Sequence, residues 1–135
     1  MAGARTPLIA VLDQDAVLLR LMCALFKSEG YNTLLLRNSA SAYDVVKERK
    51  PDMLMLDTWV EDRESGWTLL QQLLSDGETR QIPILLCSSD PDSVEGHRAR
   101  VRRHSRIEVL PKPYDTHILL HKVRSLLAPA AALPR

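Results

Sequence analysis

The chain has 135 residues, the size of one ordinary domain and too short for two good ones. Hydrophobic residues make up 45% of it and charged residues 26%, a balance that predicts a buried core and excludes wholesale disorder. With 18 basic against 17 acidic side chains the formal charge is only +1, which excludes a whole-molecule field that gathers nucleic acid or acidic membrane. No apolar run approaches the ~20 residues needed to span a bilayer. The opening Met1-Ala2-Gly3-Ala4-Arg5-Thr6-Pro7 lacks the apolar segment of a signal peptide. Cys23 and Cys87 sit in apolar stretches and read as small buried hydrophobes of a reducing compartment. Cytoplasmic localisation and no membrane association are expected.

Short apolar runs alternate with longer amphipathic ones. Leu8 to Leu12 is a continuous apolar run, as a strand buried on both faces requires. Asp15 is placed to cap a helix with Leu18, Leu21, Met22 and Leu25 inward, and Gly30 to end it. Thr33 to Leu36 is a second strand. Ser39 is expected to cap a helix carrying Ala42, Val45 and Val46 on one face and stopping before Pro51. Met53 to Leu56 is the third strand, and Gly66 to Ser75 the third helix, with Leu69, Leu70, Leu73 and Leu74 inward. Ile84 to Cys87 is the fourth strand, and an Arg-rich helix covers Ser93 to His104. Ile107 to Leu110 is the fifth strand, and Tyr114 to Leu127 a last helix with Ile118, Leu119, Val123 and Leu126. Residues 1–7 read as an extension, 8–127 as one domain and 128–135 as a flexible tail. Five strand–helix units imply a parallel sheet covered on both faces by right-handed crossovers.

Polar residues fall where the strands end: Asp13 after the first, Asp57 after the third, Ser88 after the fourth and Lys112 after the fifth. A parallel sheet gathers these at its carboxyl edge, and strand order 2-1-3-4-5 makes Asp13 and Asp57 neighbours at the switch point. Two carboxylates repel each other and any phosphate, so the pair calls for a divalent cation. Mg²⁺ suits it, since it takes one or two carboxylates and accepts phosphate oxygens. An aspartate with an ordinary pKa of ~4 is ionised at neutral pH and can attack phosphorus without a general base. The Ser88 hydroxyl and Lys112 ammonium would then share the phosphoryl charge.

Leu12-Asp13-Gln14-Asp15, Leu54-Met55-Leu56-Asp57, Pro83 to Ser88 and Leu110-Pro111-Lys112-Pro113 resemble, in order, the motifs of response-regulator receiver domains. The resemblance spans Leu8 to Leu127. It implies a flavodoxin-like (βα)₅ fold of order 2-1-3-4-5, a cis peptide before Pro113, and a signalling module rather than an enzyme. By resemblance Asp57 is the phospho-acceptor, Ser88 the switch hydroxyl and Lys112 the phosphate-sensing cation. Mg²⁺ would be held by Asp13, Gln14, Asp57 and the Trp59 backbone carbonyl. The implied partners are a histidine kinase or phosphotransfer protein, and a downstream protein or second copy on the face of the fourth helix, fifth strand and fifth helix.

Departures from the family pattern bear on activity. Gln14 stands where a second acid usually binds the metal, which predicts weaker Mg²⁺ binding. The loop after Asp57 reaches Gly66 one residue late, Ser89 replaces a smaller residue, and Val109 stands where a switch aromatic is usual. Coupling by rotation of a Tyr or Phe cannot pass through valine. The alternative reading is a phosphorylation-independent pseudo-receiver acting as an interaction or dimerisation module.

Arg98, Arg100, Arg102, Arg103 and Arg106, with His97 and His104, form a basic stretch that reads as a solvated, partner-facing surface. Nucleic-acid binding is not expected, since no recognition helix or stacking aromatics accompany it. Nucleotide and flavin binding are also rejected, because the five glycines form neither GxGxxG nor GxxxxGK[ST]. His117 and His121 are four residues apart but lack a third metal ligand.

Overall fold

The computed structural model describes residues 5–58, 65–97, 99, 101, 103 and 106–128. The elements run β1 (Leu8–Leu12), α1 (Ala16–Ser28), β2 (Asn32–Leu36), α2 (Ser39–Arg49), β3 (Met53–Asp57), α3 (Ser65–Leu74), β4 (Ile84–Ser88), α4 (Pro91–Gly96), β5 (Ile107–Pro111) and α5 (Thr116–Leu127). All four strand pairs are parallel and the order is β2-β1-β3-β4-β5, as expected. Among the described residues no helix is long and apolar enough to cross a membrane.

Because side chains alternate across a strand, each continuous apolar run serves two cores at once. Ile9 and Val11 of β1, Met53 and Met55 of β3, and Leu85 and Cys87 of β4 pack on one face against α1 and α5. Ala10 and Leu12, Leu54 and Leu56, and Ile84 and Leu86 pack on the other, against α2 and α3. The central strands β3 and β4 are buried along their whole length, which is why they contain almost no polar residue before their ends.

Several local expectations change. In α1 the buried side chains are Leu19, Met22 and Phe26, while Leu21 is 59% exposed and Leu18 and Leu25 are only partly buried. The bulky Phe26, fully buried, sets the rotation of the helix, and Leu19, Met22 and Phe26 recur at spacings of three and four. In α5 Ile118 is 51% exposed, and Leu120 takes the inward place beside Leu119 and Val123. Val45 and Leu74 are half-buried at the margin of their core. Cys87 is buried as expected, whereas Cys23 is half-buried and its sulfur accepts a hydrogen bond from the Thr33 hydroxyl at 3.3 Å.

Caps set the helix boundaries. Asp15 caps α1 by accepting the Val17 and Leu18 N–H groups, and Gly30, at φ 89°, follows its end. Asn38, rather than Ser39, caps α2, its side chain accepting the Ser41 N–H at 3.1 Å. The fourth helix begins at Pro91, two residues earlier than expected, because Asp90 accepts the Asp92 N–H on its side chain and proline suits a first helical position. It runs to Gly96; Ala99 and Val101 are helical again, with the Val101 N–H on the His97 carbonyl at 3.1 Å. The last helix begins at Thr116, not Tyr114, because Asp115 takes the cap.

The core assignment of α1 is testable. Phe26→Ala should cost about 3–5 kcal/mol of unfolding free energy in urea, whereas Leu21→Ala should change it by about 0.5 kcal/mol or less. Equal costs would refute the observed helix rotation.

Candidate functional site

Four strand ends bring the predicted polar residues to the carboxyl edge of the sheet, and the edge is held by backbone bonds. The Asp13 N–H donates to the Leu36 carbonyl at 3.0 Å, the Thr58 N–H to Cys87 at 3.1 Å and the Lys112 N–H to Ser88 at 2.8 Å. The register sets Asp57 beside Cys87 and Ser88 beside Pro111, so β3, β4 and β5 end in step.

Asp13, Asp57 and Lys112 form one cluster. The Lys112 ammonium lies 2.8 Å from Oδ2 of Asp57 and 3.5 Å from Oδ2 of Asp13. Both acids are nearly buried, 5% and 8% exposed, so two carboxylates share a single cation in a poorly solvated place. The other oxygen of Asp13 accepts the Asp15 N–H at 2.9 Å, which fixes that side chain. Burial pushes the Asp13 carboxyl above its ordinary pKa; the Asp15 N–H and the Lys112 charge draw it down, and Asp57 raises it again. Burial alone would lower the Lys112 ammonium, but its hydrogen bond to Asp57 and the two carboxylate charges outweigh that and leave it above the usual lysine value. Burial also pushes the Cys87 thiol up to about 12, so beside this cluster it stays a neutral packing group.

Ser88 reaches the same edge but is engaged elsewhere. Its hydroxyl accepts the Asp90 N–H at 3.1 Å and faces the Asp90 carbonyl at 3.2 Å, so it caps the approach to α4. A cavity of about 320 Å³, lined by Ser88, Ser89, Val94, Glu95, Val109, Pro111 and Lys112, opens beside it. Gln14 is half-buried next to Asp13, and its backbone carbonyl accepts a hydrogen bond from the Arg37 guanidinium at 3.3 Å. The Asp15 carboxylate is committed to the α1 cap and does not stand in for position 14. Trp59 and the loop through Glu64 lie outside the described residues, as do Arg98, Arg100, Arg102 and His104.

Two contributors to the site were not read from the sequence. Thr58 is buried, and its carbonyl accepts the Gly66 N–H at 3.3 Å. A Cβ on Gly66 would meet the Asp57 carbonyl oxygen and stand 2.6 Å from the Thr58 Cα, so glycine is needed for the start of α3 to seat against this strand end. The signal available was the lone glycine between an acidic loop and an apolar helix.

The basic stretch is not one solvated surface. Arg106 bonds the Leu126 carbonyl and, at 3.3 Å, the Ala128 carbonyl, closing the end of α5. His97 stacks on Trp67, and only Arg103 of the described arginines in this stretch is exposed. His117 and His121 line one shallow groove with Glu108 and Lys122; among the described residues no group of three ligating side chains is disposed to hold a metal.

A divalent cation fits the donor set at the strand ends. Asp13 and Asp57 supply only oxygen, and their two negative charges exceed the single positive charge of Lys112. No second acid is present at position 14 to deepen the attraction.

Known proteins share this fold. The pattern of the response regulator receiver domain matches residues 9–124. The polar-differentiation response regulator DivK of Brucella anthropi is 24% identical over 122 residues, covering 90% of this chain and 97% of that one. The phosphate regulon transcriptional regulatory protein PhoB of Pseudomonas aeruginosa is 25% identical over 119 residues, 88% of this chain and 51% of PhoB. Among solved structures, a putative response regulator from Chloroflexus aurantiacus superposes with a TM-score of 0.79 at 20% identity, covering 93% of this chain and all of that one. The receiver domain of the sensor histidine kinase PA1611 from Pseudomonas aeruginosa, with magnesium coordinated in its active site cleft, gives 0.75 at 15% identity over 91% of this chain and 98% of that one.

Lys112→Met should leave two nearly buried carboxylates facing each other and cost about 1–3 kcal/mol at pH 8, discounted for partial solvent access. Without the ammonium the Asp13 carboxyl rises further. An acid whose folded pKa is raised destabilises the fold above that pKa and ceases to do so as the pH falls through it. The deficit should therefore shrink as the pH falls from 8 towards the ordinary carboxylate pKa of about 4 in paired urea titrations; a deficit that stays constant would contradict the shared-cation account.

Proposed function

Because the chain belongs to the response regulator receiver domain family, we propose that it carries a signal in a two-component phosphorelay by accepting a phosphoryl group on Asp57. The observation that carries this is the Lys112 ammonium, 2.8 Å from an Asp57 carboxylate at the end of a fully buried strand. An Asp57 oxygen attacks the phosphorus of a phosphohistidine; the new P–O bond forms as the P–N bond breaks. The electron pair returns to the imidazole nitrogen, which takes a proton from solvent. Lys112 offsets charge on the transferred oxygens, and Ser88 joins it once its hydroxyl turns from Asp90. Asp13 positions the site from β1. Mg²⁺, when bound, would be held by Asp13, Asp57, Gln14 and the Trp59 carbonyl and supplies positive charge to the phosphoryl oxygens.

The phosphodonor protein has a surface to meet. Val17 is 64% exposed and Leu21 59%, on the helix that starts beside Asp13. Next to them a groove of about 460 Å³ is lined by Leu18, Met22, Ser89, Lys112, Pro113 and Tyr114. Lys112 borders both this groove and the one at Ser88. Exposed apolar side chains ringed by polar ones at the mouth of a reactive site suit an apolar helical face of a histidine kinase or phosphotransfer protein. Transfer of this kind belongs in the cytoplasm, where such donors act.

Incubation with Mg²⁺ and a small phosphodonor should give a hydroxylamine-sensitive adduct by intact mass, absent from Asp57→Ala. A folded protein that forms no adduct at high Mg²⁺ would instead support a phosphorylation-independent interaction module. Gln14→Asp restores one unit of negative charge and should tighten Mg²⁺ binding about fivefold in a fluorescence titration; unchanged affinity would overturn the role given to position 14. The double change Val17→Glu, Leu21→Glu should slow transfer from a protein donor about tenfold while leaving labelling by the small donor intact. Equal slowing of both would remove the docking role.

A further inference from the structure

The switch aromatic is replaced by Val109, yet an aromatic pair links the Asp57 strand end to α4 by another route. Gly66 follows the loop after Asp57 and donates its N–H to the Thr58 carbonyl at 3.3 Å, and its lack of a Cβ lets α3 start against the Asp57 backbone. Trp67 comes next and is 4% exposed. Its ring stacks on His97, with centroids 4.0 Å apart and planes 16° apart. His97 directly follows α4, its N–H donating to the Val94 carbonyl at 3.0 Å. Val94, Val101 and Val109 pack against the same core as Trp67. At the other end of α4, Asp90 is held by the Ser88 hydroxyl and accepts the Val94 N–H at 3.3 Å. The short helix is thus gripped at its head by Ser88 and at its tail by Trp67.

We propose that the Trp67–His97 stack couples the state of Asp57 to α4, a role that rests on Asp57 accepting the phosphoryl group. Valine has no ring to rotate, so it cannot supply an aromatic lever from β5. Trp67 is one residue from a glycine in contact with the Asp57 backbone and is rigidly packed, so a shift of the strand end moves its indole with little loss. Stacked rings keep their partner in register over such a shift, because the contact is broad and carries its own geometric preference. His97 is at the surface end of this path and hands the displacement to the segment bearing Arg103. Trp67 and His97 are positioning residues: neither needs to touch the phosphoryl group.

The test uses the full chain carrying Trp59→Phe, which leaves Trp67 as its sole tryptophan. Mg²⁺ and beryllofluoride should shift Trp67 emission and change hydrogen exchange across residues 91–101 about threefold or more. In His97→Ala, beryllofluoride affinity should stay within about threefold of the parent, while the exchange response of α4 falls by about half or more. His97→Phe, which keeps a ring on the indole, should restore it. An undiminished α4 response in His97→Ala, or no restoration by phenylalanine, would overturn the stack as the coupling element. No beryllofluoride binding in the unsubstituted chain would overturn the assignment of Asp57 itself.

Discussion

Two carboxylates, almost withdrawn from water, share one ammonium at the carboxyl edge of a parallel sheet, and the local architecture depends on that shared charge. Asp13 is fixed by a backbone N–H from the turn that starts α1, Asp57 by the end of a strand buried along its whole length, and Lys112 by a backbone bond to Ser88. Either acid alone with Lys112 would form an ordinary ion pair. Together they leave an excess of negative charge, and that excess is what a receiver needs in order to draw in a cation and then accept an anion. Gln14, at the position next to Asp13, adds no charge to that excess.

The central strands make the cluster possible by carrying no polar residue before the edge. β3 and β4 place alternate side chains into two separate cores, so their whole length is apolar and the first polar group on each stands at the strand end. Strand order then decides who meets whom. With β1 between β2 and β3, Asp13 sits beside Asp57, and β4 and β5 bring Ser88 and Lys112 from the other side.

The helices around the site divide the work. The outward side of α1 leaves Val17 and Leu21 in solvent next to the acidic pair, the surface proposed to meet a donor. On the opposite side of the sheet, Trp67 of α3 stacks on His97, which follows α4. Arg106, which by charge alone belonged to a partner-facing stretch, instead closes the end of α5. The α1 face and the Trp67–His97 stack thus lie on opposite faces of the sheet.

The sequence by itself determined the element order, the strand ends and the four polar residues placed there, because continuous apolar runs and caps such as Asp15 act over a few residues. Family motifs extended this to the strand order. Only the tertiary structure decided the rotation of α1 and α5, since Leu21 and Ile118 satisfy a helical repeat as well as their buried neighbours do, and packing against Phe26 and Leu120 selects among them. It alone decided that the Ser88 hydroxyl faces Asp90, that His97 lies on Trp67 and that Arg106 serves a helix end. Such contacts join residues far apart in the chain, and local propensity carries no information about which distant partner a side chain will meet.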